Sequence, residues 1–186
     1  TSKDILMLIN KYNYLSEDYV PENLIKISSS YAYQGNIVRE DVLESFIEMA
    51  NVAREEDIVL VINSSYRSYQ DQDEIWNYRK INYGTEKADQ YAARAGYSEH
   101  QSGLSIDIAQ FNSKEEDFEN TEAFKWLSDN AHKYGFILRF KKDAEDITGY
   151  SYESWHYRYV GKEVATKVHD EDITYDEYYA YYIENN

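Results

Sequence analysis

The 186-residue sequence contains no cysteine, which excludes a disulfide framework and zinc sites built from thiolates. It has one proline and seven glycines, and neither a Pro/Gly/Ser-rich linker nor an internal repeat divides it. We therefore expect a single domain over residues 1–186. The sequence also lacks the run of about 20 apolar residues that spans a membrane. Its strongest apolar run, residues 58–62, has the length of a buried strand.

Basic residues are scarce as well. The 19 lysines and arginines face 35 aspartates and glutamates, which gives a formal net charge of −16, and no basic stripe interrupts this excess. Proteins that follow a phosphate backbone need clustered cations. We therefore expect no nucleic-acid partner.

Histidine is rare too, but two of the four histidines lie in segments rich in functional groups. The segment SEHQSGLSID contains His100 and Asp107, and the segment ESWH contains Glu153 and His156. Two neutral imidazoles and a carboxylate suit zinc, and three protein ligands leave a fourth position for water. The predicted ligands are His100, Asp107 and His156. Glu153 is placed to act as the general base for that water.

Both segments alternate polar and apolar residues, as half-buried strands do. The apolar positions 104, 106 and 108 would face the core, so Asp107 would point the opposite way, into a cleft. In residues 155–160, His156 and Arg158 would share one strand face. Both strands can therefore present ligands to one site.

The pattern S-x-H-x-x-G-x-x-x-D followed by E-x-W-H resembles that of the VanY-type D-alanyl-D-alanine carboxypeptidases, relatives of the lysostaphin and hedgehog zinc folds. A third block, SYRSYQDQ over residues 65–72, resembles the family's S-x-Y-R-S-x-x-x-Q block with one residue fewer ahead of the tyrosine. The resemblance extends from about residue 10 to about residue 161. Ala95, Ser102 and Ser105 depart from residues common in the family, but none is a proposed ligand.

The resemblance implies a zinc carboxypeptidase that removes the C-terminal D-alanine of peptidoglycan stem peptides. It implies that Arg67 stabilises charge on the carbonyl oxygen or substrate, and that Ser98, Gln72 and Tyr66 contact the peptide. It favours the outside of a bacterial cell. Because the sequence begins at Thr1 without methionine, we expect that a leader or anchor has been removed, although the sequence does not exclude the cytoplasm. We expect a monomer.

Two other functions stay open. An L,D-carboxypeptidase that acts on tetrapeptide stems would carry the same motifs. A zinc-binding module without catalysis, retained to bind wall peptide or a protein partner, would need neither Glu153 nor Arg67, and the presence of both weighs against it.

Several residues near these motifs have simpler interpretations. We expect His132 on a surface helix and His169 in an acidic segment, both as ordinary histidines. Glu99 and Arg158 could support the zinc ligands or form a plain salt bridge of the fold. Trp155 is expected to pack and fix its loop, and a position in the wall of the pocket is the alternative.

Hydrophobic spacing predicts an α+β fold, with a small, mostly antiparallel sheet and flanking helices of the hedgehog/D-Ala-D-Ala peptidase type that the resemblance implies. Thr121 is the expected N-cap of one helix and Gly135 its stop. The predicted helices cover residues 3–12, 40–54, 69–82 and 122–134. The predicted strands cover 58–64, 103–109, 136–140 and 155–160. We expect a helical lead-in at 1–38, a polar loop at 141–152 and a Tyr-rich helix at 173–186.

Overall fold

The structure is a computed structural model that describes residues 3–184, and two antiparallel sheets organise this part of the chain. Strand β1 (Leu24–Lys26) pairs with β2 (Ile37–Arg39). A second sheet has the order β3-β4-β6-β5, with β3 at Leu60–Ser64, β4 at Ser105–Gln110, β5 at Phe136–Leu138 and β6 at His156–Tyr159. All its neighbours are antiparallel. The predicted class, α+β with a mostly antiparallel sheet, is confirmed.

Helices surround this sheet. They are α1 (Glu40–Glu55), α2 (Tyr69–Tyr83), α3 (Thr85–Tyr91), α4 (Glu122–Asn130), α5 (Glu145–Thr148), α6 (Lys162–Asp170) and α7 (Tyr175–Tyr179). Short 3-10 turns lie at Lys3–Leu6, Glu99–Ser102, Phe118–Asn120 and Ala131–Tyr134, and a π-helical turn at Ala180–Glu184 follows α7. No helix within residues 3–184 is long and apolar enough to cross a membrane.

The main core lies on one face of the larger sheet, where α1 and α4 cover it. Phe46 and Leu127 come from these helices and pack with Leu104, Ile106 and Ile108 of the β4 segment. Each such side chain contributes about 1.5–3 kcal/mol when it is fully buried. Because this face of β4 is apolar, the residue between Ile106 and Ile108 is directed to the opposite face of the sheet, as predicted.

Local sequence signals fix the segments that lead to the site. Ser68 and Asp71 form a capping box that starts α2 directly after Arg67. Gly103 ends the turn Glu99–Ser102 with φ +69°, and a Cβ atom there would lie 3.0 Å from Cγ of Arg39. Glycine therefore meets both the left-handed backbone and the close packing before β4.

Most predicted elements are found, with small shifts at their ends. Helices at 40–54 and 69–82 are confirmed, and the helix at 122–134 is capped by Thr121 and finishes as a 3-10 turn before Gly135. All four predicted strands are present. The Tyr-rich helix is observed as α7 and its π-helical turn, and its residues 185–186 lie outside the described part.

The predicted helix at 3–12 is wrong beyond Leu6, and the lead-in over 1–38 contains β1, most of β2 and only one 3-10 turn among its described residues. Asn10 explains the difference, because its side-chain oxygen accepts hydrogen bonds from the backbone N–H groups of Tyr12 and Asn13. Asparagine side chains compete with helical hydrogen bonds in this way. Residues 1–2 of the lead-in are outside the described range. The predicted polar loop at 141–152 contains the single turn α5.

Candidate active site

Two neighbouring strands and the turn before them bring the three predicted metal ligands together. Asp107 on β4 is the register partner of His156 on β6, and His100 lies in the turn that precedes β4. Oδ1 of Asp107 is 3.0 Å from Nδ1 of His156 and 3.3 Å from Nε2 of His100. One ligand atom from each residue lies within 4.8 Å of the other two, and all three residues are buried.

This arrangement fits a zinc ion. Zinc ligands about 2.0–2.1 Å from a tetrahedral ion lie roughly 3.3 Å from one another, close to the spacings found here. Nδ1 of His100 donates to the backbone oxygen of Ser65 at 2.7 Å, which leaves Nε2 free to face the metal position. His156 is held the other way round, because its Nε2 lies 3.2 Å from Oε2 of Glu99. Each imidazole thus presents one defined nitrogen to the site.

Glu99 is the centre of a buried charge network behind His156. Its Oε1 accepts from Nε of Arg139 and from Nη1 of Arg158, both at 2.8 Å, and Ser105 donates to its other oxygen. Burial raises the pKa of Glu99, but the two arginines outweigh it and hold the pKa well below its usual range. Glu99 therefore stays ionised, contacts the predicted ligand His156 and also forms salt bridges of the fold.

The network extends to both ends of the chain. Arg139 also binds the carboxylate of Asp176 on α7, and Arg158 donates to the backbone oxygens of Ile5 and Met7. Neither Arg139 nor Asp176 was among the predicted site residues. A signal for Arg139 was its place inside the apolar run FILRF, where a charged residue needs a buried partner.

The three predicted ligands shift one another's pKa values. Burial lowers the pKa of His156, but hydrogen bonds to Asp107 and Glu99 outweigh burial and raise the pKa to about 9. For His100, burial and then Arg67 lower the pKa. Although burial alone would raise the pKa of Asp107, the two histidines hold it below its usual range. Asp107 is therefore available as an anionic ligand.

Glu153 lies beside the ligands without being one of the group. Its Oε2 is 3.8 Å from Nδ1 of His156, and its side chain is 24% exposed, so water can reach it. Its backbone N–H donates to the oxygen of Phe140, which anchors the loop before β6. Burial raises the pKa of Glu153, and His156 opposes that increase. A carboxylate in this position can exchange protons with a water molecule at the site.

Arg67 closes the other side of the ligand group. Its Nη2 is 3.6 Å from Oδ2 of Asp107, and its Nη1 donates to Oε1 of Gln72 at 2.8 Å. Gln72 in turn donates to the backbone oxygen of Ala93 at 2.8 Å. Burial lowers the pKa of Arg67, whereas Asp107 and Glu153 raise it. The guanidinium is thus held in one orientation at the edge of the site.

A cavity of about 310 Å³ contains the site. Its walls include the metal-ligand group together with Arg67, Gln72, Ser98 and Glu153. Tyr66 does not line it; its backbone N–H donates to Ile37 at the smaller sheet. Trp155, expected to be a packing residue, is 41% exposed and forms part of the wall.

The remaining two histidines lie apart from this cavity. His132 and His169 stack on each other with ring centroids 3.7 Å apart, and they line a different cavity. His132 is part of the 3-10 turn that follows α4, and His169 lies near the end of α6. The structure therefore brings together the two histidines of the predicted site and leaves the other two outside it.

Residues 35–162 match the family described as VanY, D-alanyl-D-alanine carboxypeptidase. The chain is 39% identical to the putative carboxypeptidase YodJ of Bacillus subtilis and 33% identical to a D-alanyl-D-alanine carboxypeptidase of Enterococcus faecium. Each alignment covers 95% of this chain. It spans 67% of the first relative and only 57% of the second.

Solved structures show the same fold. The LD-carboxypeptidase LdcB superposes with a TM-score of 0.88 at 38% identity, covering 95% of this chain and 86% of that protein. A mutant of the vancomycin-resistance D,D-pentapeptidase VanY in complex with Zn(II) gives 0.83 at 30% identity, covering 94% and 98%. The predicted peptidase fold type is therefore confirmed.

Proposed function

The chain belongs to the VanY family of D-alanyl-D-alanine carboxypeptidases, and on this basis we propose that it is a zinc enzyme that removes the C-terminal D-alanine from peptidoglycan stem peptides. The observation that carries the proposal is the buried group of His100, Asp107 and His156, with Glu153 beside it. The Zn(II) complex of the related VanY structure supports zinc as the ion. The substrate would place its activity at the cell envelope.

His100, Asp107 and His156 would hold the zinc ion. When bound, zinc supplies acidification of water and polarisation of a peptide carbonyl. Glu153 accepts the proton of the attacking water and delivers it to the leaving amine, a role that its raised pKa and partial exposure suit.

Arg67 stabilises the negative charge that develops on the scissile carbonyl oxygen. Its guanidinium is fixed in advance by Gln72 and Asp107, so little reorganisation accompanies the reaction. Ser98 and Gln72 line the same cavity and contact the terminal residue of the peptide. Tyr66 lies outside the cavity wall and has no part in this proposal.

A second candidate is L,D-carboxypeptidase activity on tetrapeptide stems. The similarity to LdcB favours it, because both identity and TM-score are higher than for the VanY structure described above. The residues that would act on the scissile bond are the same in both reactions. A zinc-binding module without catalysis is less well supported, because Glu153 and Arg67 both face the metal-ligand group.

Zinc-loaded protein incubated with defined tetra- and pentapeptide stems, followed by mass spectrometry, tests both candidates. We expect the pentapeptide to lose one terminal D-alanine. Trimming of the tetrapeptide would show that the protein also has L,D-carboxypeptidase activity. Amidation of the C-terminus should abolish cleavage, because a carboxypeptidase recognises a free carboxylate. Internal cuts in amidated peptide would instead identify an endopeptidase. The Glu153→Gln variant serves as the inactive control.

A further inference from the structure

Arg79 differs from every other arginine of the chain. The other six form an ion pair or a side-chain hydrogen bond: Arg39, Arg54, Arg67, Arg94, Arg139 and Arg158. Within residues 3–184, Arg79 has neither an ion pair nor a hydrogen bond to its side chain, although it is half-buried in a protein with a net charge of −16.

Arg79 lies within electrostatic reach of two residues of the site. It lowers the pKa of Arg67 by repulsion between two cations, and it lowers the pKa of Glu153 by attraction to the carboxylate. Among the described residues, none accepts a hydrogen bond from its guanidinium, which therefore has donors to offer a ligand.

Arg79 lines the catalytic cavity at its boundary with a second groove. It shares this position with Ile75, and the groove continues along α2 past Asp71, Glu74, Tyr78 and Tyr83. Among the described residues that line this groove, Arg79 is the one cation that could pair with a carboxylate of a ligand. The cavity also borders a third depression near Lys11 and Arg94. There the cations are already satisfied, because Arg94 pairs with Asp89 at 2.7 Å and Lys11 donates to the backbone oxygen of Asp89. Arg79, which has no such partner among the described residues, therefore lies where the cavity opens into the groove along α2.

The position of Arg79 on α2 determines which part of a peptide it meets. Gln72 and Arg79 are seven residues apart and share one helix face, with Cα atoms separated by roughly 10 Å along the axis. This is the length of about three extended residues. A carboxypeptidase binds only one residue beyond the scissile bond, next to Arg67 and Gln72. Because helical side chains lean toward the N-terminus of the helix, the Arg79 guanidinium can reach back along this span, and it would meet a residue one to three positions upstream of the scissile bond.

We propose that Arg79 binds a carboxylate carried by the substrate upstream of the scissile bond, and so selects peptides with an acidic residue there. The planar guanidinium is suited to this group because it can donate two parallel hydrogen bonds to a carboxylate. This inference rests on the proposed carboxypeptidase function, and it assigns the groove along α2 to the acyl part of the peptide. Binding would also neutralise the repulsion between Arg79 and Arg67.

The test uses acetylated pentapeptides that end in D-alanyl-D-alanine. One of the three upstream residues is either glutamate or glutamine, so each pair differs by one carboxylate. For one of the three positions, we expect the wild type to prefer the glutamate peptide about 10-fold in kcat/KM, and Arg79→Gln to remove this preference by raising the KM of the glutamate peptide. An effect of the substitution on Arg67 or Glu153 should change the cleavage of both peptides alike, so the ratio between the two peptides is the readout. Lys80→Gln, on the exposed side of the same helix, controls for loss of one positive charge.

Charge reversal gives a second readout. Arg79→Glu should prefer a peptide with lysine at the same upstream position, and Arg79→Lys should retain part of the original preference. Equal slowing of the glutamate and glutamine peptides by Arg79→Gln, or no preference in the wild type, would overturn the assignment while cleavage itself upholds the proposed function. If the wild type cleaves none of the peptides, the proposed function fails instead.

Discussion

The four histidines form two pairs whose rings lie close together, yet only one pair has the surroundings of a metal site. His100 and His156 meet edge to face with centroids 4.9 Å apart, and Asp107 bridges their ring nitrogens. His132 and His169 stack in parallel at 3.7 Å. Within residues 3–184, only the first pair belongs to a group of three closely spaced ligands. Two adjacent imidazoles therefore do not form a candidate metal site by themselves, and the buried carboxylate of Asp107 distinguishes the first pair from the second.

The two pairs also differ in how their protons are held. Glu99 and Asp107 raise the pKa of His156 to about 9 despite its burial. At the second pair, burial and the neighbouring His169 lower the pKa of His132, whose buried Nδ1 has no hydrogen-bond partner in the described part of the chain. Buried carboxylates thus fix the tautomer and charge of the first pair. The carboxylate found beside the second pair is that of Asp170, which is exposed and lies 3.1 Å from Nδ1 of His169. Four predictions test this contrast, beginning with the largest effect.

The largest difference should follow removal of one imidazole from each pair. His156→Ala takes away one of three ligands and should abolish both stoichiometric zinc binding and hydrolysis. His132→Ala should leave zinc content and activity unchanged. Metal analysis of the purified variants, combined with the peptide assay, measures both properties. A full equivalent of zinc in His156→Ala, or its loss from His132→Ala, would reverse the assignment of the two pairs.

The second prediction separates metal binding from proton transfer at the site that contains His100 and His156. Glu153→Gln preserves side-chain size and should retain zinc, while kcat falls by about 10²-fold or more because the general base is lost. Its matched control is Glu145→Gln, an exposed residue on α5 in the same connection between β5 and β6. Near-normal turnover by Glu153→Gln would refute the proposed role of this carboxylate.

The third prediction uses pH to compare the pairs. In the metal-free protein, the pKa of His156 is above its ordinary value of 6.5, so its protonated form stabilises the fold fully below pH 6.5 and this contribution disappears as pH rises through about 9. Zinc must displace that proton. Zinc affinity should therefore increase by about tenfold per pH unit between these limits, and the difference in Tm between zinc-loaded and metal-free protein should widen.

Chelator competition at several pH values, with Tm measured on the same samples, checks this expectation. The His132→Ala variant should show the same pH dependence as the wild type, because the second pair takes no part in zinc binding. An affinity that does not change with pH would mean that His156 is already neutral in the metal-free protein.

Sequence patterns were sufficient for the local parts of this comparison. Alternation in β4 predicted that Asp107 faces away from the apolar core, and alternation in β6 predicted that His156 and Arg158 share one strand face. The structure agrees with both, since Asp107 pairs with His156 across the strands and both β6 residues contact Glu99. The patterns could not reveal that Arg139 and Asp176 support Glu99, because these residues are far apart in sequence and meet only through tertiary packing. The failed helix at 3–12 has one local and one long-range cause. The Asn10 turn is local, whereas the hydrogen bond from Arg158 to the backbone oxygen of Ile5 arises only through tertiary packing.

The smallest effect should come from the most distant member of the network behind His156. Asp176 on α7 binds Arg139, Arg139 binds Glu99, and Glu99 contacts the imidazole. Asp176→Asn keeps the shape of the side chain but removes its charge. We expect zinc affinity to fall by less than about 10-fold, since direct partners of metal ligands typically contribute 10–100-fold and Asp176 acts through two further residues. Some stability should also be lost, because Arg139 is fully buried.

Asp172→Asn provides the matched control for Asp176→Asn, because Asp172 forms an ion pair with Lys141 but is 93% exposed. This variant should change neither zinc affinity nor Tm appreciably, since exposed ion pairs contribute little. Zinc affinity measured by chelator competition separates positioning from general stability. Asp176→Asn could instead lower Tm and still bind zinc as tightly as the wild type. Glu99 alone would then determine the orientation of His156. The difference between the two histidine pairs would in that case be set by their immediate carboxylates and not by the whole buried network.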